Sequence, residues 1–177
     1  AYGTTGQVLK SNGDAPPSFG TALTLATSQT VSAASSVAFT SIPSWVKRIT
    51  ISYYSVVTST TATPQVQIGS GSLTTTGYLG YAGQEQGSNS TSSGSTTGFP
   101  LAVTSPTTYT SHGNMILVNN NGNTWTASFS CGTLNSSNSA AIGGNGGGVV
   151  TISGTLDRLS ILASTGNISG TFNIVYE

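Results

Sequence analysis

Apolar and polar residues alternate most regularly between Phe39 and Val57, FTSIPSWVKRITISYYSVV. Ile49, Ile51 and Tyr53 fall on one face of an extended chain, with Arg48, Thr50, Ser52 and Tyr54 on the other. This period of two marks a half-buried β-strand. Pro43 stands in the turn-forming step before the run, where a missing N–H costs no ladder hydrogen bond. The same period sets Trp125, Ala127, Phe129 and Cys131 opposite Thr124, Thr126, Ser128 and Ser130. It returns near the end of the sequence, where Phe172, Ile174 and Tyr176 alternate with Thr171, Asn173 and Val175.

Weaker runs predict strands at 22–26, 36–39, 65–69, 76–81, 99–104, 114–118, 149–153 and 156–163. A hairpin across the turn-rich Thr58–Pro64 is the simplest pairing of the first strong strand with Gln65–Gly69. A second hairpin is expected at Asn119–Asn123, NNNGN, because Asn and Gly tolerate positive φ. No stretch of useful length carries the helical period.

Short strands punctuated by Gly, Asn and Pro, without βαβ spacing, predict an all-β protein. The expected architecture is an antiparallel β-sandwich or jelly-roll-like head over residues 21–177. Residues 1–20 differ, since Pro16–Pro17 and the Gly, Asn and Asp around them break long elements. They read as a short extended N-terminal connector in which only Gln7–Lys10 pairs briefly. Val8, Leu9 and Phe19 are apolar enough to pack against the same segment of neighbouring copies. Gln84–Gly98 and Gly132–Gly148, which ends GGNGGG, read as polar loops. A first residue Ala1 fits either removal of Met or a piece cut from a longer protein.

Charge narrows the functional classes. Four Lys+Arg balance four Asp+Glu, and charged residues make up 5 % of the chain, against roughly 25 % in ordinary globular domains. Nucleic acid and anionic membrane surfaces both require a basic footprint, so neither is an expected partner. No apolar run reaches the length of a membrane span. Ser, Thr, Gly and Asn replace the missing charge, and low charge gives weak colloidal protection. Much of that surface is therefore expected to be covered by other copies of the chain. The single cysteine, Cys131, excludes an intramolecular disulfide.

Three stretches together resemble the C-terminal head region of tailed-bacteriophage tail fibres. They are GTTGQVLKSNGDAPPSFG (Gly3–Gly20), FTSIPSWVKRITISYYSVV followed by VQIGSGSLTTTGYLG (Val66–Gly80), and ISGTLDRLSILASTGNISGTFNIVYE (Ile152–Glu177). The resemblance covers most of the chain in order, but not its middle loops. It implies a homotrimeric, virion-borne, extracellular fibre tip, joined to an upstream shaft, that binds a bacterial surface receptor. It implies no catalytic residues and no cofactor. A surface glycan such as lipopolysaccharide is the expected receptor class, with an outer-membrane protein as the other option. A purely structural virion adaptor is the first rival reading, and a polysaccharide depolymerase the second.

The residues themselves offer little chemistry. Hydrolysis of a glycoside needs two neighbouring carboxylates, and the acids are Asp14, Glu85, Asp157 and Glu177. Only Glu85 with Asp157 would be free to pair. His112, the one histidine, lies in a predicted loop without a nucleophile elbow; three copies at a trimer axis would be needed to hold a metal. The Gly143–Gly148 run lacks the Lys-Ser/Thr and the helix of a phosphate loop. Arg48, Asp157 and Arg158 are expected to make structural salt bridges, with Glu85 and Glu177 as further acidic partners. Cys131 reads as a buried apolar side chain, and Trp45 as a cap on the core. Receptor contacts are expected in the loops 83–98, 109–114, 119–123 and 132–148. The candidates there are Tyr78, Tyr81, Asn89, Phe99, Tyr109, His112, Asn120, Asn121, Asn135, Asn138 and Asn145. Aromatic faces beside Asn, Gln and Ser are the side chains that bind neutral glycans.

Overall fold

The computed structural model describes residues 3–4, 7–87, 89–103, 107–135 and 141–177. The described residues are all-β. The first strands are β1 (Gln7–Asn12), β2 (Ala15–Thr21), β3 (Thr24–Leu25), β4 (Gln29–Ala34), β5 (Val37–Thr40) and β6 (Arg48–Thr58). Next come β7 (Pro64–Ser70), β8 (Ser72–Leu73), β9 (Leu79–Gln86), β10 (Asn89–Ser95) and β11 (Phe99–Pro100). The last five are β12 (Tyr109–Asn121), β13 (Thr124–Asn135), β14 (Ala141–Thr151), β15 (Arg158–Ala163) and β16 (Ile168–Tyr176).

The large sheet runs β10-β9-β14-β13-β12-β6-β16-β3, with β4 also on β16; a smaller one runs β11-β7-β15-β5, with β8 on β7. Neighbouring strands in both are antiparallel. One core lies between them. The large sheet contributes Ile49, Ile51, Met115, Leu117, Phe172 and Ile174, and the smaller contributes Val37, Val66, Ile68, Leu159 and Ile161, all buried. Removing that apolar surface from water is the main force holding the two sheets together.

The three strongest alternations become β6, β13 and β16 with the expected faces inward. Ile49, Ile51 and Tyr53 are buried, as are Trp125, Phe129 and Cys131, and Phe172 and Ile174. The β12–β13 hairpin closes at Gly122–Asn123, with Gly122 at φ 55°, the conformation a two-residue turn demands of its first position.

Several expectations are corrected. β6 and β7 form no hairpin: β6 pairs with β12 and β16, and β7 with β15 and β11. Residues 58–64 instead carry the chain from one sheet to the other, with Ala62 buried on the way. A local hairpin would have put Val66 and Ile68 on the sheet that already held Ile49 and Ile51, leaving nothing to cover it. Residues 1–20 are not simply extended, because β1 and β2 pair along most of their lengths as a separate two-stranded sheet. Pro16 and Pro17 are tolerated there because β2 is an edge strand. Gln84–Gly98 holds the end of β9 and all of β10 rather than a polar loop. The described residues of Gly132–Gly148, 132–135 and 141–148, are strand as well, residues 136–140 lying outside the described residues. In β14 glycine stands where side chains would not fit: a Cβ on Gly144 would lie 2.7 Å from Cys131 Sγ, and one on Gly148 2.6 Å from the Leu79 carbonyl oxygen. Strand β4 falls between the strands expected at 22–26 and 36–39, where none was predicted, and only Phe99–Pro100 of the 99–104 run is strand, Thr104 lying outside the described residues.

Candidate functional site

The two ends of the large sheet differ in chemistry. At one end the chain arrives from β2 and finishes at Glu177. Lys47 N–H and Arg48 N–H both donate to the Glu177 carbonyl oxygen, at 2.8 and 2.9 Å, and Arg48 Nη1 meets Glu177 Oε1 at 3.0 Å. Trp45 is 51 % exposed here, so it does not cap the core as its place before β6 suggested. Its ring lies 5.9 Å from that of Tyr176, and Lys10 Nζ stands 5.8 Å over its face, within cation–π range. The second ion pair joins Arg158 Nε to Asp157 Oδ1 at 2.7 Å, at the start of β15 in the smaller sheet. Arg158 and the Gly71 N–H together hold the Asp157 carboxyl below the usual carboxylate range.

At the other end of the same strands, register builds a polar corner. Direct cross-strand partners share a face. One row reads Ser90, Glu85, Gly143, Gly132, His112 across β10, β9, β14, β13 and β12. The next, two residues along each strand, reads Ser92, Gly83, Asn145, Ser130, Asn114. Glu85, Asn145, Ser130, Asn114 and His112 are exposed, so this face points away from the core. With strands ~4.8 Å apart, Glu85 and His112 are separated by roughly 14 Å of sheet bearing only glycine. An open depression of about 320 Å3 lies here, lined among others by Gly83, Glu85, Ser130, Gly143 and Asn145.

The two central glycines have no structural duty. A Cβ on Gly132 or Gly143 would meet nothing within 4 Å, and neither has a positive φ. Gly83 is different, because the Tyr81 hydroxyl lies 2.9 Å from where its Cβ would be. Tyr81 therefore runs along β9 toward Glu85 and, being 53 % exposed, lays an aromatic surface at the rim. At the far side, Ser55 N–H donates to His112 Nδ1 at 3.1 Å. That bond fixes the imidazole and makes Nδ1 an acceptor. Ser55 has φ 55° where the β6–β12 register slips, so a bulge supplies the donor.

The expected contact residues divide. Tyr81, His112 and Asn145 stand at this corner. Asn89 is exposed at the start of β10, and Tyr109 is half-buried at the start of β12. Tyr78 and Phe99 are corrected: both are fully buried, packed edge to face at 4.9 Å, and the Tyr78 hydroxyl accepts the Ile68 N–H at 2.8 Å. Asn135 is also buried. Asn120 and Asn121 are exposed at the opposite end, beside the Gly122 turn. Asn138 lies outside the described residues. Reasoning from loops missed Ser130, Gly132, Gly143 and Asn114 as a unit. The signal was present in the polar face Thr126, Ser128, Ser130, which continues into Gly132.

The two carboxylates that glycoside hydrolysis would pair do not meet. Glu85 stands on the outer face of the large sheet, whereas Asp157 lies just before β15 of the smaller sheet and is paired with Arg158. Cys131 is buried beneath the corner, and desolvation pushes its thiol pKa up, away from the thiolate a nucleophile needs. Among the described residues no three His, Cys, Asp or Glu side chains gather as a metal site. What remains is hydrogen-bonding capacity from Ser130, Asn145, Asn114 and His112, one aromatic surface and one carboxylate around a bare backbone floor. No protein-family model, curated protein or solved structure matches the chain.

Proposed function

We propose that the chain is the receptor-binding head of a virion attachment fibre, acting as a homotrimer that holds a bacterial surface saccharide. The observation that carries this reading is the corner where Glu85, Ser130 and Asn145 line a depression of about 320 Å3, with the Tyr81 hydroxyl over Gly83 beside it. An aromatic face with amide and hydroxyl groups beside it suits a sugar ring, whose C–H face stacks while its hydroxyls hydrogen-bond. Its position supports the reading too. Along β13 the corner at Ser130 and Gly132 is separated from the strand's start at Thr124, the end where the N-terminal hairpin sits, by roughly 20–26 Å, at ~3.3 Å per residue. A head entered at one end by a shaft would present the other to a cell. The three sequence stretches that resemble tail-fibre heads point the same way. Each site is open and built of weak contacts, so three copies acting together supply avidity.

The test is adsorption. Fluorescently labelled protein should stain host cells and compete with the parent phage for them, and Ser130→Trp, which fills the depression, should abolish both. Protein that is trimeric by light scattering yet never labels cells or competes would leave a purely structural role in the virion.

A further inference from the structure

We infer that the corner selects a saccharide bearing a free, protonated amine, and that Glu85 is the residue that makes the selection. This rests on the saccharide-binding reading above and names the ligand class for the same site. Glu85 is exposed on β9, in the row that crosses Gly143 and Gly132. The two ion pairs among the described residues employ Asp157 and Glu177, so Glu85 has no cation of its own. The chain's basic residues stand elsewhere. Arg48 pairs with Glu177, Arg158 with Asp157, Lys10 lies over Trp45, and Lys47 sits next to Arg48. The corner thus carries a lone carboxylate with no Lys or Arg to receive a phosphate or a sugar acid, and His112 stands three strands away across the glycine floor.

Selection of this kind works in both directions. A carboxylate attracts an ammonium group and accepts its hydrogen bonds, and it repels an anionic sugar. Ser130 and Asn145 on the adjoining row, and the Tyr81 ring, would treat amino, acetamido and carboxyl sugars alike, so they supply affinity without charge preference. The bare floor at Gly143 lets a ring approach the backbone, and lack of a side chain in a strand marks such close approaches. An exposed ion pair contributes little, and the expected preference for the amine over its N-acetyl counterpart is about two- to fivefold per site. It should shrink as salt is raised, because an exposed pair is screened.

The experiment presents the full chain with three matched multivalent ligands: glucosamine, N-acetylglucosamine and glucuronic acid conjugates. Binding is read at 20 mM and 500 mM salt. The expected order is amine, then acetamide, then acid, narrowing at high salt. Glu85→Gln should collapse the order by weakening amine binding and raising acid binding. Gly143→Thr, which places a side chain on the floor while keeping the fold, should remove binding of all three. Equal binding of the three conjugates, or an order that Glu85→Gln leaves intact, would overturn the inference while leaving saccharide binding in place. Binding of none, or binding untouched by Gly143→Thr, would overturn the saccharide reading at this corner and the inference with it.

Discussion

The Tyr53 hydroxyl donates to the Leu101 carbonyl oxygen at 2.6 Å inside the core, tying the middle of the large sheet to the segment that leaves β11. The bond satisfies a carbonyl that has no water to turn to, and burial pushes the Tyr53 pKa far upward. Tyr53→Phe keeps the ring and orphans the acceptor. The expected loss is about 1–3 kcal/mol, the desolvation cost of an unsatisfied buried group. Urea melts of the two proteins, with unchanged m-values, check it; a difference below a few tenths would mean that Leu101 finds another donor.

Tyr78 gives a pH dependence. Burial pushes its pKa up to about 12, partly opposed by its hydrogen bond with Ile68, against 10.0 for an ordinary tyrosine. The raised folded value means that the neutral phenol is favoured in the fold. Its contribution is therefore full below about pH 10 and is lost as pH rises from there toward 12. At 1.36 kcal/mol per unit the loss is on the order of 2–3 kcal/mol, and Tyr53 adds to it in the same direction. Thermal melts at pH 8 and pH 11 should show a lower transition at the higher pH, with a smaller drop in Tyr78→Phe.

Strands whose buried face carries large side chains were legible in the sequence. Ile49–Ile51–Tyr53 and Trp125–Phe129–Cys131 announce both their state and their faces. β14 and β10 were not legible, because the alternation signal is a contrast in side chains and glycine or serine provides none. Where the strand's neighbour fills the space itself, as Cys131 Sγ does beside Gly144, sequence shows composition that looks like a loop. The same blindness affected the candidate site. Tyr78 and Phe99 flank polar segments and so look like surface aromatics, yet each supplies half of a buried edge-to-face pair. The corner draws its residues from five strands, β9, β10, β12, β13 and β14, and only register unites them.

The Arg48–Glu177 pair is a weaker feature than its geometry suggests. Its side chains are 49 % and 43 % exposed, and exposed pairs contribute about 0.2–1 kcal/mol. The chain end is held mainly by backbone bonds, from Lys47 and Arg48 to Glu177 and from Glu177 N–H to the Arg48 carbonyl oxygen at 3.0 Å. Glu177→Gln should therefore lower stability by less than about 1 kcal/mol, and the difference should vanish in 1 M salt. A larger, salt-independent loss in chemical denaturation would show that the carboxylate does more than meet Arg48.

Two glycines of one strand should respond in opposite directions. Gly146 is enclosed: a Cβ there would collide with the Tyr81 carbonyl oxygen and lie 2.5 Å from Phe129 Cε1. A backbone oxygen cannot swing aside, so Gly146→Ala forces β14 away from β9 or displaces a core ring. Overpacking of this kind costs about 1–3 kcal/mol. Gly143 meets nothing within 4 Å, and its backbone lies outside the positive-φ region. Gly143→Ala only restricts the unfolded chain and should stabilise by about 0.4–1 kcal/mol. Differential scanning calorimetry of the two variants separates the cases. If Gly143→Ala melts below the parent protein, the glycine serves the fold after all, and the bare floor at this corner is a packing requirement rather than room for a ligand.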